Sequence, residues 1–324
     1  MANVTARQHT RALLMLILAT SFWGLSFPLI KAVGLTQQSV VPESNSALIT
    51  VWALAPRFIL GALFFLGTQW KSLASLTRTE WKQGLSLGIF ASAGMLFQTD
   101  GLMRTAASTS AFLTQLYAIL IPIYLGIRAR KMPPWTVWIS SLLVLLGVSV
   151  LGKFDWHALR FGRGEAETLI ASVFFMGQIL SLEVGAWRSN RVMPVTAIMF
   201  FIQAAVFLGL ALLVTPRIAD LVLPLTSGPW DVMTITLSAL STVCALIIMN
   251  TYQPWITATE AGLIYCVEPI FGSIFALFLP VWLSRFASVA YDNEVTTRAL
   301  LIGGGLITAA NILIQLKPLP KDDL

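Results

Sequence analysis

The sequence predicts an all-α membrane protein with ten transmembrane helices. Hydrophobic residues make up 56% of the chain and charged residues only 11%, and the mean hydropathy is +0.79. A soluble domain of this length needs a charged surface, so these values indicate lipid as the main solvent. The 324 residues leave roughly 32 for each span of about 20 residues and its connection. We therefore expect one membrane-embedded unit without a sizeable soluble domain.

Ten apolar segments are long enough to cross a bilayer. They lie at residues 12–33, 47–70, 82–103, 105–127, 134–152, 167–187, 192–214, 231–252, 257–283 and 297–316. The first follows basic residues, as a signal peptide does, but it is uncharged from Ala12 to Ile30, which predicts a retained anchor. The sixth is the weakest, because Glu167 and Glu183 bracket a short uncharged run.

The distribution of Lys and Arg predicts that both termini are cytoplasmic and that the protein lies in the cell inner membrane. With the N-terminus inside, the inner segments hold twelve basic residues and the outer segments hold eight. Three of the outer ones lie in the 153–167 loop, next to acidic residues. Basic residues favour the cytoplasmic side of short loops, so this orientation is expected.

Several functions are disfavoured by the residues present. The net charge of +6 is spread in small groups, so no nucleic acid is expected as a partner. Cys244 and Cys266 both lie in apolar runs, which predicts neither a disulfide nor a metal site. His9 and His157 fall in predicted loops. The sequence has no P-loop, no His/Cys metal spacing and no Gly-x-Ser-x-Gly elbow, so neither a cofactor nor an ATP-driven pump is expected.

A weak internal repeat relates the two halves of the chain. A shift of 150 residues lays Thr109, Ala111 and Leu113 on residues of the same type. Each half would contain five helices, so the second would enter the membrane from the opposite side and form an inverted repeat. The expected repeats are residues 12–152 and 166–316.

Four stretches carry a family resemblance that covers nearly the whole chain. They read "SFWGLSFPLIKAV", "APRFILGALFFL", "TAASTSAFLTQLYAILIPIYLGI" and "TATEAGLIYCVEPIFGSIFAL". In their order and spacing, the chain resembles the drug/metabolite transporter superfamily, in its EamA-type ten-helix branch. The resemblance implies two inverted five-helix repeats, alternating access, and a central cavity lined mainly by helices 1, 3, 4, 6, 8 and 9. It also implies export of amino acids, other metabolites or toxic compounds, or exchange of sugar phosphates or nucleotide sugars as in eukaryotic relatives.

The chain departs from the family pattern in two places. The family often has Gly-Glu after helices 4 and 9, where this chain reads "GIRARKMPP" and "LPVWLSRF". The acidic residue before Pro269 has no counterpart in the first half, where Ala118 stands. A symmetric mechanism with two carboxylates is therefore not expected.

Glu268 is the candidate for proton coupling. It lies about eleven residues inside the ninth segment and precedes Pro269. An ionisable side chain at membrane depth costs roughly 2.5–3.5 kcal/mol or more, so it is expected to face the bundle interior or a water-filled cavity. Glu268 then either binds and releases a proton during transport, or is a hydrogen-bonded residue that holds helices together. The sequence leaves both readings open.

Polar and aromatic residues in the segments are candidates for binding a small-molecule substrate. Gln and Asn both donate and accept hydrogen bonds, so they suit a zwitterion or a heterocycle, and aromatic faces bind cations and flat molecules. Interhelical hydrogen bonds and positions at the bilayer interface explain the same residues equally well. The candidates are Trp23, Gln98, Gln115, Tyr117, Gln178, Asn250, Tyr252 and Tyr265.

Two charged residues have alternative interpretations. Arg57, in the second segment, either attracts an anionic substrate, pairs with Glu268, or is structural. Asp100 is expected near the outer mouth of the cavity, where water solvates it.

A secondary transporter that exports a small metabolite, amino acid or drug is the function that the sequence favours. A sugar-phosphate or nucleotide-sugar antiporter needs several basic residues at cavity depth, and Arg57 is the only one well inside a segment. A membrane-embedded lipid enzyme needs paired acids, His or Ser–Lys groups at membrane depth, whereas Glu268 stands nearly alone. We therefore expect no enzymatic activity. The lipid bilayer is the expected environment, and the formation of a homodimer is left open.

Overall fold

The computed structural model describes residues 5–42, 46–102, 104, 110, 113–151, 162–215, 217–295 and 298–316. Every regular element in these ranges is helical. The first seven helices are α1 (Ala6–Val40), α2 (Ser46–Leu73), α3 (Arg78–Leu102), α4 (Tyr117–Ala129), α5 (Trp135–Leu151), α6 (Arg163–Ser181) and α7 (Val192–Val214). The others are α8 (Ile218–Val222), α9 (Gly228–Thr236), α10 (Ala245–Tyr252), α11 (Ala258–Tyr265), α12 (Glu268–Ala276), α13 (Leu279–Ala287) and α14 (Arg298–Leu316).

Four helical stretches are long and apolar enough to cross a membrane. They are Ala6–Val40, Ala47–Leu73, Val192–Val214 and Gly228–Trp255. The last of these joins α9 to α10 through a π-helical segment, Leu237–Cys244. A fifth crossing results if Ala258–Ala276 and Leu279–Ala287, which are bent by 60°, count as one span. Shorter apolar helices form α4, α5 and α14. The protein is therefore an all-α membrane protein.

The bundle has two ends. We call the N-terminal face the end where α1, α3, α7 and α11 begin and α2, α6 and α10 finish. Three contacts mark it: His9 with Glu260, Arg191 with Glu80, and Gln253 with Ile179. The opposite end, the far face, brings the end of α3 against the start of α6 through Asp100 and Arg163.

Small residues allow the central helices to pack closely. α3 packs against α6 and α7, α2 against α7, α5 against α14, and α1 against α12. A Cβ atom on Gly84 of α3 would lie 2.6 Å from Cβ of Ile198 in α7. The hydrophobic effect gives little drive between helices in lipid, so such close van der Waals packing carries the association.

The helix boundaries differ from the predicted segments in two places. The predicted ninth segment, 257–283, is divided into α11, α12 and α13. Pro269 and Pro280 lie in the first turns of α12 and α13, where the missing N–H and fixed φ of proline favour a helix start over continuation. In the predicted fourth segment, 105–127, most residues before 113 lie outside the described ranges, and α4 begins only at Tyr117.

A capping box and an ion pair fix the start of α3 at the N-terminal face. The Thr77 hydroxyl accepts from the Glu80 N–H at 3.2 Å, and Glu80 accepts from the Thr77 N–H at 2.8 Å. Arg191 binds both oxygens of the same carboxylate, at 2.6 and 2.9 Å. The Arg191 guanidinium holds the pKa of Glu80 at about 2, well below its usual value.

This ion pair makes stability depend on acid. The pKa of Glu80 is lower in the folded protein than the usual value of about 4.3, so its contribution is complete above that value and is lost as the pH falls toward 2. We expect Glu80→Gln to lower stability by about 2 kcal/mol at pH 6, after discounting for the exposure of Arg191. The melting temperature of purified wild type and variant, followed from pH 6 to pH 2.5, should converge. A constant difference would contradict the assignment.

Candidate functional site

Two helix breaks lie at corresponding positions in the two halves. Before α4, the Leu116 N–H donates to the Leu113 carbonyl at 3.2 Å. Between α11 and α12, the Cys266 N–H donates to the Leu263 carbonyl at the same distance, 3.2 Å. Both are tight three-residue turns, and they are 150 residues apart. Such discontinuous helices create polar backbone inside a membrane bundle.

The two breaks contact one another. The Cys266 thiol donates to Oε1 of Gln115 at 3.0 Å and to the Gly262 carbonyl at 3.2 Å. Both side chains are buried, Gln115 being 5% exposed and Cys266 fully enclosed. A Cβ atom on Gly262 would lie 3.0 Å from Cδ1 of Ile121, so α11 crosses α4 at close range. We call these contacting turns the paired breaks.

Glu268 is the first residue of α12. Its side chain interacts electrostatically with Tyr117 and Cys266, yet it is only partly buried. A deep side chain that keeps accessible surface faces an internal space. No cation in the described ranges lies within ion-pair distance of its carboxylate. An unpaired carboxyl group in this position is a functional candidate.

An aromatic and amide group adjoins the paired breaks. The Trp23 and Tyr265 rings meet edge to face with centroids 5.3 Å apart. The Tyr265 hydroxyl donates to Oε1 of Gln253 at 2.8 Å, and Nε2 of Gln253 donates to the Ile179 carbonyl at 2.7 Å. Sequence reasoning missed Gln253, although the Gln-Pro pair at the end of a membrane segment was a usable signal. This group joins α1, α6, α10 and α11.

Four of the predicted binding residues lie elsewhere. Nε2 of Gln98 donates to Thr114 at 3.4 Å, which is close to the fourth predicted segment. Asn250 donates to the Thr196 hydroxyl of α7 at 3.0 Å. Gln178 and Tyr252 complete the set: Gln178 contacts the Met249 sulfur at 4.0 Å, and Tyr252 packs on Trp255.

The predicted residues therefore fall into two groups. The structure brings together Trp23, Gln115, Tyr117, Tyr265 and Glu268 around the paired breaks. Gln98, Gln178, Asn250 and Tyr252 each have a partner on another helix or turn. Substrate contact remains a prediction for all nine residues.

Arg57 is buried between α2 and the π-helical segment. Its Nε donates to the Thr242 hydroxyl at 2.8 Å, and it is 6% exposed. Thr242 in turn donates to the carbonyl of Leu237, five residues back, which is the spacing of a π-helix. No carboxylate in the described ranges pairs with Arg57, so it does not form the alternative ion pair with Glu268.

Ion pairs close both ends of the bundle. At the far face, Arg163 binds Asp100 at 3.0 Å and Glu167 at 2.6 Å, and Arg104 binds Asp100 at 3.1 Å. Asp100 therefore lies at an end of the bundle, as expected, but in a network of ion pairs.

At the N-terminal face, the first turn of α11 is the point where other helices meet. The Glu260 carboxylate caps α11 through Thr257 and lies 3.2 Å from Nε2 of His9. The prediction that His9 is in a loop is wrong, because α1 begins at Ala6 through its own capping box at Thr5. Residue 157 lies outside the described ranges.

Comparison with known proteins defines the class and then the family. The chain is 25% identical over 316 residues to an uncharacterized transporter of Archaeoglobus fulgidus, covering 93% of this chain and 85% of the relative. The protein is a multi-pass membrane transporter. Residues 10–152 match the EamA-like transporter family. We identify the chain as an EamA-type transporter of the drug/metabolite transporter superfamily, in agreement with its sequence motifs.

A protein of known crystal structure has the same fold. It superposes with a TM-score of 0.70 at 16% identity, and the match covers 95% of this chain and 97% of that one. The likeness extends through both halves and concerns the fold alone.

Proposed function

We propose that the protein is a secondary transporter that exports a small metabolite, amino acid or drug by alternating access. In this proposal, ten spans form two inverted five-helix repeats, residues 12–152 and 166–316. The observation that carries it is the contact between the paired breaks, where the thiol of Cys266 donates to Gln115. Inverted repeats with discontinuous helices that meet at the midplane provide two alternative openings around one site.

The proposed substrate site surrounds the paired breaks. Trp23 and Tyr265 supply aromatic faces, Gln115 and Tyr117 supply hydrogen-bonding groups, and Glu268 supplies a carboxyl group that faces an internal space. These are the groups that a small organic solute with an amine or a ring requires. We propose that Glu268 also binds the coupling proton, because no cation in the described ranges competes for it.

The proposed orientation has the N-terminal face in the cytoplasm of a cell with this protein in its inner membrane. Four loops and termini on this face carry most of the basic residues, among them Arg128, Arg130 and Lys131 after α4. Positive charge favours the cytoplasmic side. Export then requires substrate entry between α1, α6 and α11, and release beside the ion pairs of Asp100 at the far face.

A flux screen in proteoliposomes tests the proposal. Vesicles containing the purified protein are loaded with amino acids, purines, organic cations or sugar phosphates, and efflux is measured with and without a pH gradient. We expect at least one amine or zwitterion to leave faster from protein-containing vesicles than from empty ones, and the pH gradient to change the rate. Efflux of sugar phosphates alone would favour the antiporter. No protein-dependent flux of any class would exclude the proposal.

A further inference from the structure

A separate cavity lies at the N-terminal face. It has a volume of about 120 Å³ and is enclosed by α3, the connection between α6 and α7, the start of α7 and the end of α10. Its polar lining is Gln83, Arg188, Asn190 and Asn250, and its aromatic lining is Trp187 and Trp255. The cavity is several times larger than the volume of about 30 Å³ that one water occupies. It therefore has room for a small organic group.

The cavity wall contains a buried acceptor without a donor. Asn250 is 3% exposed. Its Nδ2 donates to the Thr196 hydroxyl at 3.0 Å, and this bond fixes the orientation of the amide. Its Oδ1 has no partner in the described part of the chain. Buried carbonyl oxygens are almost always paired, so this oxygen calls for a ligand that brings an N–H or O–H group.

The opposite wall supplies donors. The Thr79 hydroxyl donates to Oδ1 of Asn190 at 2.8 Å, and Nδ2 of Asn190 donates to Oε1 of Gln83 at 2.8 Å. This chain of amides occupies the carbonyl of Gln83 and leaves its NH₂ group as the end that can serve a ligand. Arg188, which is exposed, adds a guanidinium at the same cavity. No carboxylate belongs to the lining.

We propose that this cavity binds a small zwitterionic group that consists of an acid group and a primary ammonium group. The acid group accepts from Arg188 and Gln83, because a guanidinium forms strong, charge-assisted hydrogen bonds to carboxylates and phosphates. The ammonium donates to Oδ1 of Asn250 and packs on the faces of Trp187 and Trp255. Two sources share this chemistry: a free amino acid or phosphorylated amine, and the headgroup of an aminophospholipid at the membrane interface. The site goes beyond the proposed transport function and does not depend on it.

Two matched ligands test the recognition of the ammonium group. The purified full-length protein is titrated with O-phosphoethanolamine and with O-phosphocholine, and binding is followed by tryptophan fluorescence and melting temperature. Phosphocholine keeps both charges, but three methyl groups replace its N–H donors. We expect phosphoethanolamine to bind at least about tenfold more tightly, because only it satisfies Asn250. Equal affinity, or no binding of either compound at 20 mM or roughly that level, would overturn the proposal.

Variants separate recognition from folding. Arg188→Ala, at an exposed position, should weaken phosphoethanolamine binding about tenfold or more. Arg128→Ala, which removes an exposed Arg from the same face but not from the cavity, should leave the affinity unchanged. Asn250→Ala should bring the ratio of the two affinities close to one, which a merely structural role of Asn250 would not do. Wild-type affinity in Arg188→Ala, or an unchanged ratio in Asn250→Ala, would contradict the assignment.

Nanodiscs distinguish the two sources. If the headgroup of a lipid is the ligand, phosphatidylethanolamine raises the melting temperature more than phosphatidylcholine does, and Arg188→Ala removes the difference. If a free solute is the ligand, soluble phosphoethanolamine binds and the two lipids give the same melting temperature. Both results support the zwitterion site, and failure of the soluble and the lipid arm together excludes it. A negative flux screen would leave these binding results unaffected.

Discussion

Replacing Glu268 with Gln is expected to remove the response of transport to a pH gradient and to lower gradient-driven flux at least about tenfold. Gln has the shape of Glu, but it cannot take up or release a proton. Glu268 begins α12 directly after the break at Cys266, so a change in its charge acts where the two halves meet. Exchange of substrate between the two sides without a pH gradient should persist, because it requires no proton movement.

The control for this experiment is Glu294→Gln. Glu294 is exposed in the connection after α13, so it undergoes the same chemical change outside the bundle and should transport like wild type. Flux is measured in proteoliposomes at several pH gradients, with equal protein incorporation. If Glu268→Gln keeps wild-type flux at every gradient, Glu268 is a structural residue and the coupling proton binds elsewhere. If exchange is lost together with net flux, the side chain binds substrate.

The sequence predicted the depth of Glu268 and the register of the halves, because both depend on position along the chain. A residue about eleven places inside an apolar segment cannot avoid the membrane interior. The shift of 150 residues lays Leu113 on Leu263, and these two residues supply the carbonyls that close the paired breaks. Similar runs of small residues before each turn preserved that register in the sequence.

The sequence could not predict which polar residues share a site. Asn250, Tyr252 and Tyr265 look like one group, but Asn250 faces α7 and Tyr265 faces Gln253. The rotation of a helix in lipid is decided by its neighbours, because apolar residues surround it on all sides and no amphipathic pattern orients it. The 3₁₀ turn at Gln253–Trp255 changes the direction again.

Adding a methyl group at Gly24 is expected to disrupt the centre of the bundle. A Cβ atom there would lie 2.5 Å from Cβ of Phe271 and 2.7 Å from the backbone nitrogen of Gly272. Both atoms belong to α12, less than two turns after Glu268, and neither can rotate away. We expect Gly24→Ala to destabilise the protein by about 1–3 kcal/mol, as overpacking does, and to lower transport. Thermal unfolding of the purified protein and flux in vesicles measure the two effects.

Two other glycines give matched controls. A Cβ atom added at Gly67 in α2 would have no neighbouring atom within 4 Å, so Gly67→Ala should change stability by less than about 0.5 kcal/mol. At Gly94, a Cβ atom would meet the ring of Phe175 at 2.7 Å. Truncating that ring should therefore rescue Gly94→Ala, whereas Phe271→Ala should not rescue Gly24→Ala, because the clash there is with Cβ and backbone. Rescue of Gly24→Ala by Phe271→Ala, or equal stability of Gly24→Ala and Gly67→Ala, would mean that α1 and α12 are not in close backbone contact beside Glu268.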